Sequence, residues 1–244
     1  KRIYKMFFFK NIFNTFLDII LPRYCFNCEN LILSEDNYFC SDCYSKLSYF
    51  DYGINHKEFK AEEKYCSEID NFYSLFYFEP ESISQKIIHM IKYENKQKLG
   101  LFMGEKLGEA LLKHDIKADM IIPIPLHKSR KKERGYNQSE IISLGVASVL
   151  KIPVITKMLI REKNTISQTK LNRVERKQNV SGAFKITRDL DINNKTIFVL
   201  DDVITSGATI SECSKLLKSK FNIKIISLSL AYVKDKHDIL KIET

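Results

Sequence analysis

Two adjacent carboxylates, Asp201 and Asp202, close an apolar run and open onto a loop of small and hydroxyl residues, Thr205-Ser206-Gly207-Ala208-Thr209. A phosphorylated sugar needs both halves of that arrangement. Carboxylates accept hydrogen bonds from sugar hydroxyls, whereas a phosphate needs donors and positive charge. The run Thr196-Ile197-Phe198-Val199-Leu200 is short, continuous and β-branched, the pattern of a buried parallel strand. Ile210, Cys213, Leu216 and Leu217 follow at helical spacing. The loop is therefore expected between a strand and a helix N-terminus, where unpaired N–H groups and the positive end of the helix dipole meet an anion. Gly207 allows close backbone approach, and Thr205, Ser206 and Thr209 add hydroxyls. The alternative is an ordinary strand-turn-helix with a polar cap, but paired carboxylates at a sheet edge are costly without a ligand or donors. The chain carries neither G-x-x-x-x-G-K-[ST] nor G-x-G-x-x-G, the phosphate loops of other nucleotide folds.

A second cluster lies near the front. Cys25-x-x-Cys28 and Cys40-x-x-Cys43 have the spacing with which thiolates close on one tetrahedral zinc ion. Four sulfur ligands leave no open position, so the Zn2+ expected here is structural. A segment this small has almost no core, and the metal would hold it folded. Two disulfides are the rival reading; a cytoplasmic setting, which keeps thiols reduced, favours the metal. Cys66 and His56 are read as bystanders, and Cys213 as a packing residue on its helix.

The elements that must position these groups follow from composition and periodicity. A chain of 244 residues, 44% hydrophobic and 11% aromatic, can hold one α/β domain plus a small appendage. The formal net charge of +9 points to a polyanionic ligand or partner. The run 6–21 is apolar, but Lys10 and Asp18 interrupt it and it is shorter than the about 20 residues a spanning helix needs. It reads as an amphipathic helix with Phe9, Ile12, Phe13, Phe16, Ile19 and Ile20 on one side, not as the anchor of an integral membrane protein. The expected organisation is an amphipathic helix over 1–22, a zinc module over 23–50, a linker over 51–70 and the main domain over 71–244. In that domain, strands are expected at 71–78, 120–125, 153–155, 196–200 and 225–231, and helices at 83–93, 99–114 and 137–150. The alternating order predicts a parallel sheet flanked by helices. Two polar stretches remain: a basic one with Lys128, Arg130, Lys131, Lys132 and Arg134, and a long one, 161–184, with Arg161, Gln168 and Arg176.

The acidic pair with its loop resembles the phosphoribosyl pyrophosphate (PRPP) signature of type I phosphoribosyltransferases. Three further blocks, in order, resemble the competence protein F family. They are Ile122-Pro123-Ile124-Pro125-Leu126-His127 with Arg134-Gly135-Tyr136-Asn137-Gln138; Arg161 through Thr165 to Gln168; and Arg176 through Asn179 to Phe184. That family also carries paired C-x-x-C motifs and a short N-terminal helix ahead of its phosphoribosyltransferase domain, so the similarity covers almost the whole chain. The resemblance implies a type I phosphoribosyltransferase-like α/β fold with an N-terminal four-cysteine zinc module. It implies that Asp201 and Asp202 contact the ribose hydroxyls and that Thr205, Ser206, Gly207, Ala208 and Thr209 bind the 5′-phosphate. The pyrophosphate would meet Leu126, His127, Lys128 and Arg130, with Mg2+ bridging pyrophosphate and ribose oxygens. Arg134, Arg161 and Arg176 are the basic candidates of a mobile loop over it. Three functions stay open: a phosphoribosyltransferase whose acceptor is not readable; a cytoplasmic factor that handles single-stranded DNA in natural transformation, with Tyr136 stacking bases and other competence proteins as partners; and a PRPP sensor without turnover. A PRPP pocket on a DNA-handling protein accounts for both sets of motifs.

Overall fold

The computed structural model describes residues 22–32, 38–51, 68–163, 180–188 and 190–233. The expected N-terminal helix, the linker segment with His56 and Cys66, and the block containing Gln168 and Arg176 lie outside the described residues. The chain divides between Leu47 and Ser48 into two compact units.

In the first unit a minimal ribbon, β1 (Arg23–Tyr24) antiparallel to β2 (Leu31–Ile32), precedes a single helical turn, α1 (Ser41–Tyr44). Phe39 is fully buried and meets both Phe26 and Tyr44 edge-on. Among the described residues, Ile32 and Leu47 are the other buried apolar side chains of this unit besides two of the cysteines.

The second unit is built on four strands: β3 (Asn71–Tyr77), β4 (Met120–Pro123), β7 (Thr196–Ile204) and β8 (Lys224–Tyr232). All pair in parallel in the order β3-β8-β7-β4. Parallel strands need crossovers, and helices supply them: α2 (Ile83–Tyr93), α3 (Gln97–Lys113), α4 (Lys128–Arg134), α5 (Gln138–Leu150) and α6 (Ala208–Lys220). An antiparallel ribbon, β5 (Leu159–Arg161) with β6 (Phe184–Ile186), stands beside the sheet. One sheet face packs Ile197, Val199 and Ile225 against Ile210, Cys213 and Leu217 of α6.

Three details depart from the expectations. The basic stretch is a short helix, α4, rather than a loop. The ring of His127 accepts a hydrogen bond from the Ser129 N–H at its start, and Gly135, at φ 79°, ends it in the left-handed region. Residues 153–155 form no strand; Val154 makes a single bridge to Ile121. Strand β7 continues to Ile204, so the acidic pair lies inside the strand. The reason is β8, which runs alongside and pairs Asp201 with Ser229 and Ile204 with Tyr232.

Helices α3 and α5 touch backbone to backbone. A Cβ placed on Gly104 would lie 2.2 Å from the Ile142 carbonyl oxygen, and one on Gly145 would lie 2.1 Å from that of Leu101. Only glycine permits this approach. It sets the height of α5, whose cap residue Asn137 accepts from the Ser139 N–H and donates its side-chain amide to the Ile124 carbonyl, 3.0 Å away, beyond the end of β4. We predict that Gly145→Ala costs about 3 kcal/mol in urea unfolding, because backbone must move. Gly135→Ala, where nothing stands within 4 Å and only the positive φ is at issue, should cost less, about 1–2 kcal/mol.

Candidate functional site

A cleft opens outside the carboxyl ends of β4 and β7, the place where parallel α/β sheets present ligand sites. Its floor is the acidic pair. The Asp201 Oδ1 accepts the Ser139 hydroxyl at 3.0 Å and the Asp202 N–H at 2.9 Å. Burial, and then the neighbouring Asp202 charge, push the Asp201 carboxyl up to about 7, against those hydrogen bonds and the pull of Lys92. Asp202 Oδ1 accepts from the Val203 N–H at 2.9 Å. Its Oδ2 faces the ammonium of Lys92, 3.4 Å away. Lys92, from the last turn of α2, belongs to no sequence motif. The one signal for it was a charged residue directly after the buried run Met90-Ile91 of an otherwise apolar helix edge.

The loop after β7 forms one wall. Thr205, Gly207, Ala208 and Thr209 line it. Gly207, at φ 69°, turns the chain into α6 and accepts the first helical hydrogen bond, from the Ser211 N–H at 2.8 Å. The Ser206 hydroxyl is buried and meets no hydrogen-bond partner among the described residues. The N–H groups of the first turn of α6 face the cleft without helical acceptors of their own.

Guanidinium groups form the opposite wall. Arg130 and Arg134 come from α4 and Arg161 from β5. Arg134 donates to the Gln138 side-chain oxygen at 3.2 Å and lies 5.1 Å from the Tyr93 ring centre. Arg161 is buried against the Phe184 ring, 5.3 Å from its centre. Burial, and then the charge of Arg130, lower its basicity, while Asp201 favours its charged form. Arg161 was expected in a mobile loop; instead it is a strand residue, paired with Phe184 across the ribbon and bridged to His127. The Gly182 N–H, donating to Glu212 at 2.7 Å, ties the same ribbon to α6.

Leu126 joins the lining beside Arg130, whereas His127 and Lys128 fall outside it. Lys131 and Lys132 are solvent-exposed. Tyr136 was expected to stack bases. It is buried, its hydroxyl donates to the Ile91 carbonyl, and burial raises its pKa to about 12. It is a core residue.

In the first unit, the sulfur atoms of Cys25, Cys28, Cys40 and Cys43 lie within 4.8 Å of one another. Zinc–thiolate bonds in a tetrahedron require sulfurs about 3.8 Å apart, so the set fits a metal ion with little adjustment. The Cys25 sulfur accepts from the N–H groups of Asn27 and Cys40 at 3.4 and 3.3 Å, and the Asn27 amide donates to Cys43 at 3.3 Å. Burial opposes ionisation of Cys25, but the N–H groups of Cys28, Cys40 and Asn27 outweigh it and bring the thiol down to about 6, while burial pushes the Cys43 thiol up to about 12. Donors of this kind support a thiolate ligand. Among the described residues, no helix is long and apolar enough to cross a membrane.

The raised Asp201 pKa has a stability consequence. The folded state holds this proton more tightly than a free carboxyl of pKa 3.8. Its contribution is therefore complete below that value and is lost as pH rises to about 7. Asp201→Asn removes the titration. The variant should gain stability relative to the parent chain between about pH 4 and about pH 7 and hold that gain above it, read from urea midpoints across the range.

No protein-family model matches the chain. Competence protein F of Haemophilus influenzae is 29% identical over 209 residues, which cover 80% of this chain and 90% of that protein. The DNA utilization protein YhgH of Shigella flexneri is 27% identical over 140 residues, 54% of this chain and 59% of its own length. Among solved structures, the adenine phosphoribosyltransferase of Thermoanaerobacter pseudethanolicus aligns with 57% of this chain and 83% of its own, at 15% identity and a TM-score of 0.36, too loosely to bear on function. At that identity over most of both lengths, the chain is a homologue of competence protein F.

Proposed function

We propose that the cleft binds PRPP as its magnesium complex and transfers the phosphoribosyl group, in a protein that serves DNA uptake. The observation that carries this reading is the meeting, in one cleft, of the acidic pair, the Gly207 turn at the head of α6 and the guanidinium groups of Arg130, Arg134 and Arg161. In the proposed complex the N–H groups of Gly207, Ala208 and Thr209 and the hydroxyls of Thr205 and Ser206 take the 5′-phosphate. The ribose hydroxyls donate to Asp201 and Asp202. The pyrophosphate lies against the Leu126 turn, with Arg130 and Arg161 beside it. Both carboxylates offer the hard oxygens that Mg2+ prefers, and the bound cation would screen the pyrophosphate charge. As the bond from the anomeric carbon to the pyrophosphate oxygen breaks, the electron pair leaves with the pyrophosphate. Arg130 and Arg161 stabilise that negative charge while the acceptor's lone pair enters at the carbon, and no side chain need act as a nucleophile.

The link to DNA rests on the names of the relatives, competence protein F and DNA utilization protein YhgH. The +9 net charge and the solvent-exposed Lys128, Lys131 and Lys132 of α4 suit the phosphate backbone of single-stranded DNA, and other competence proteins are the matching protein partners. A non-catalytic strand binder is the second reading, which those exposed lysines favour. It would retard single strands in a strongly salt-dependent way and release no pyrophosphate with any acceptor. The four-sulfur site is proposed to hold structural Zn2+, in keeping with a cytoplasmic protein whose thiols stay reduced.

Calorimetric titration with Mg2+ and PRPP should give one saturable site. Asp202→Ala should weaken binding by about a hundredfold or more, since it removes a charged acceptor from the sugar (~3 kcal/mol), measured at a temperature where circular dichroism shows the variant folded. Unchanged affinity in that variant excludes the site. Elemental analysis should find one zinc per chain, lost in Cys43→Ser. Chelation should disorder the cysteine unit while far-UV signals of the sheet persist; unfolding of both together would count against separate roles.

A further inference from the structure

Lys92 stands outside every motif, yet its ammonium lies 3.4 Å from Asp202 Oδ2 and the two side chains are only 10% and 13% exposed. A lysine so withdrawn from water keeps its charge only beside a compensating one. The surroundings single out that oxygen. Asp202 Oδ1 is taken by the Val203 N–H, and Asp201 Oδ1 by Ser139 and the Asp202 N–H. Asp202 Oδ2 is buried and has no hydrogen-bond donor in bonding geometry among the described residues, so the ammonium is its counter-charge. With this oxygen buried beside the ammonium, a divalent cation reaches it only by displacing Lys92. The wider cleft reinforces the conflict: four cationic side chains, Lys92, Arg130, Arg134 and Arg161, line it against two carboxylates. In a site this enclosed, charges a few ångströms apart interact far more strongly than in water. The cleft therefore repels a free dication and attracts a polyanion.

We infer that Lys92 is an internal counter-ion that closes the oxygen of Asp202 to a free divalent cation and yields it to one that arrives on the phosphates of the ligand. The inference rests on the reading of the cleft as a PRPP site and adds to it the residue that keeps a bare cation out. The phosphates supply the negative charge that releases Lys92 from Asp202, and the ammonium passes to a ligand oxygen. Lys92 is thus a selectivity residue, set on α2 so that it reaches the floor of the cleft from outside the phosphate-binding loops.

The test needs no turnover. Binding of Mn2+ alone, read from the electron paramagnetic resonance signal of the free ion, is measured on the zinc-loaded full chain, on Lys92→Met and on Lys92→Arg. The parent chain and Lys92→Arg should bind Mn2+ weakly and alike. Lys92→Met should bind one ion at least about tenfold more tightly, a gain lost again in the Lys92→Met, Asp202→Asn double variant. Lys92→Gln, which keeps a polar tip in the buried position, replaces the Met variant should that one melt early. Equal Mn2+ affinity in the parent chain and the neutral variants overturns the inference, as does a gain that survives Asp202→Asn. PRPP is absent from these measurements, so their failure is distinct from a failure of PRPP to bind, which would remove the site assignment instead.

Discussion

Two carboxylates placed side by side in a buried strand repel each other and lose their water, and much of the second unit is arranged around that cost. Asp201 is relieved by the Ser139 hydroxyl, a backbone N–H and a carboxyl pKa near 7. Asp202 is relieved by Lys92 and by the Val203 N–H. The two side-chain partners, Ser139 and Lys92, come from different helices, so those helices must arrive at defined heights above the sheet. The glycine contact between α3 and α5 does this for Ser139, and the last turn of α2 does it for Lys92. The acidic pair is thus held by donors and a cation from within the same unit.

The first unit solves a different problem. Among the described residues it buries Phe39, Ile32 and Leu47 besides two cysteines, little apolar area against the ordering of its backbone. The four sulfurs and the N–H groups that point at them take the place of a core. Charge and coordination, not burial, define both units' chemistry, but with opposite sign preferences: thiolates that want a cation in one, guanidinium groups that want an anion in the other.

Much of this was legible in the sequence because the signals were local. The helix over Ile83–Tyr93 and the strand start at Thr196 lie where periodicity placed them, since a regular apolar pattern is readable without knowing what it packs on. The cysteine spacing and the loop Thr205–Thr209 were equally plain. What escaped depends on distant partners. Helix α4 is polar throughout, with no buried residue, so no periodicity announced it. The extension of β7 through two aspartates contradicts strand propensity and is enforced by pairing with β8. Tyr136 looked like a surface ring because the acceptor for its hydroxyl, the Ile91 carbonyl, lies far back in the chain. Lys92 carried little signal for the same reason: its partner lies on β7, more than a hundred residues on, and only the folded arrangement brings the two charges together.

The run of β7 through the acidic pair has a mechanical consequence. Asp201 pairs with Ser229 in the ladder, and the strand holds its register with β8 on to Ile204. The carboxylates are therefore mounted on a strand paired on both sides of them with β8, not on a loop. Whatever shape change accompanies ligand entry must be borne by the walls, by α4, the β5–β6 ribbon and the loop before α6. The floor is thus fixed by the ladder, and the spacing of its two carboxylates does not depend on where the walls stand.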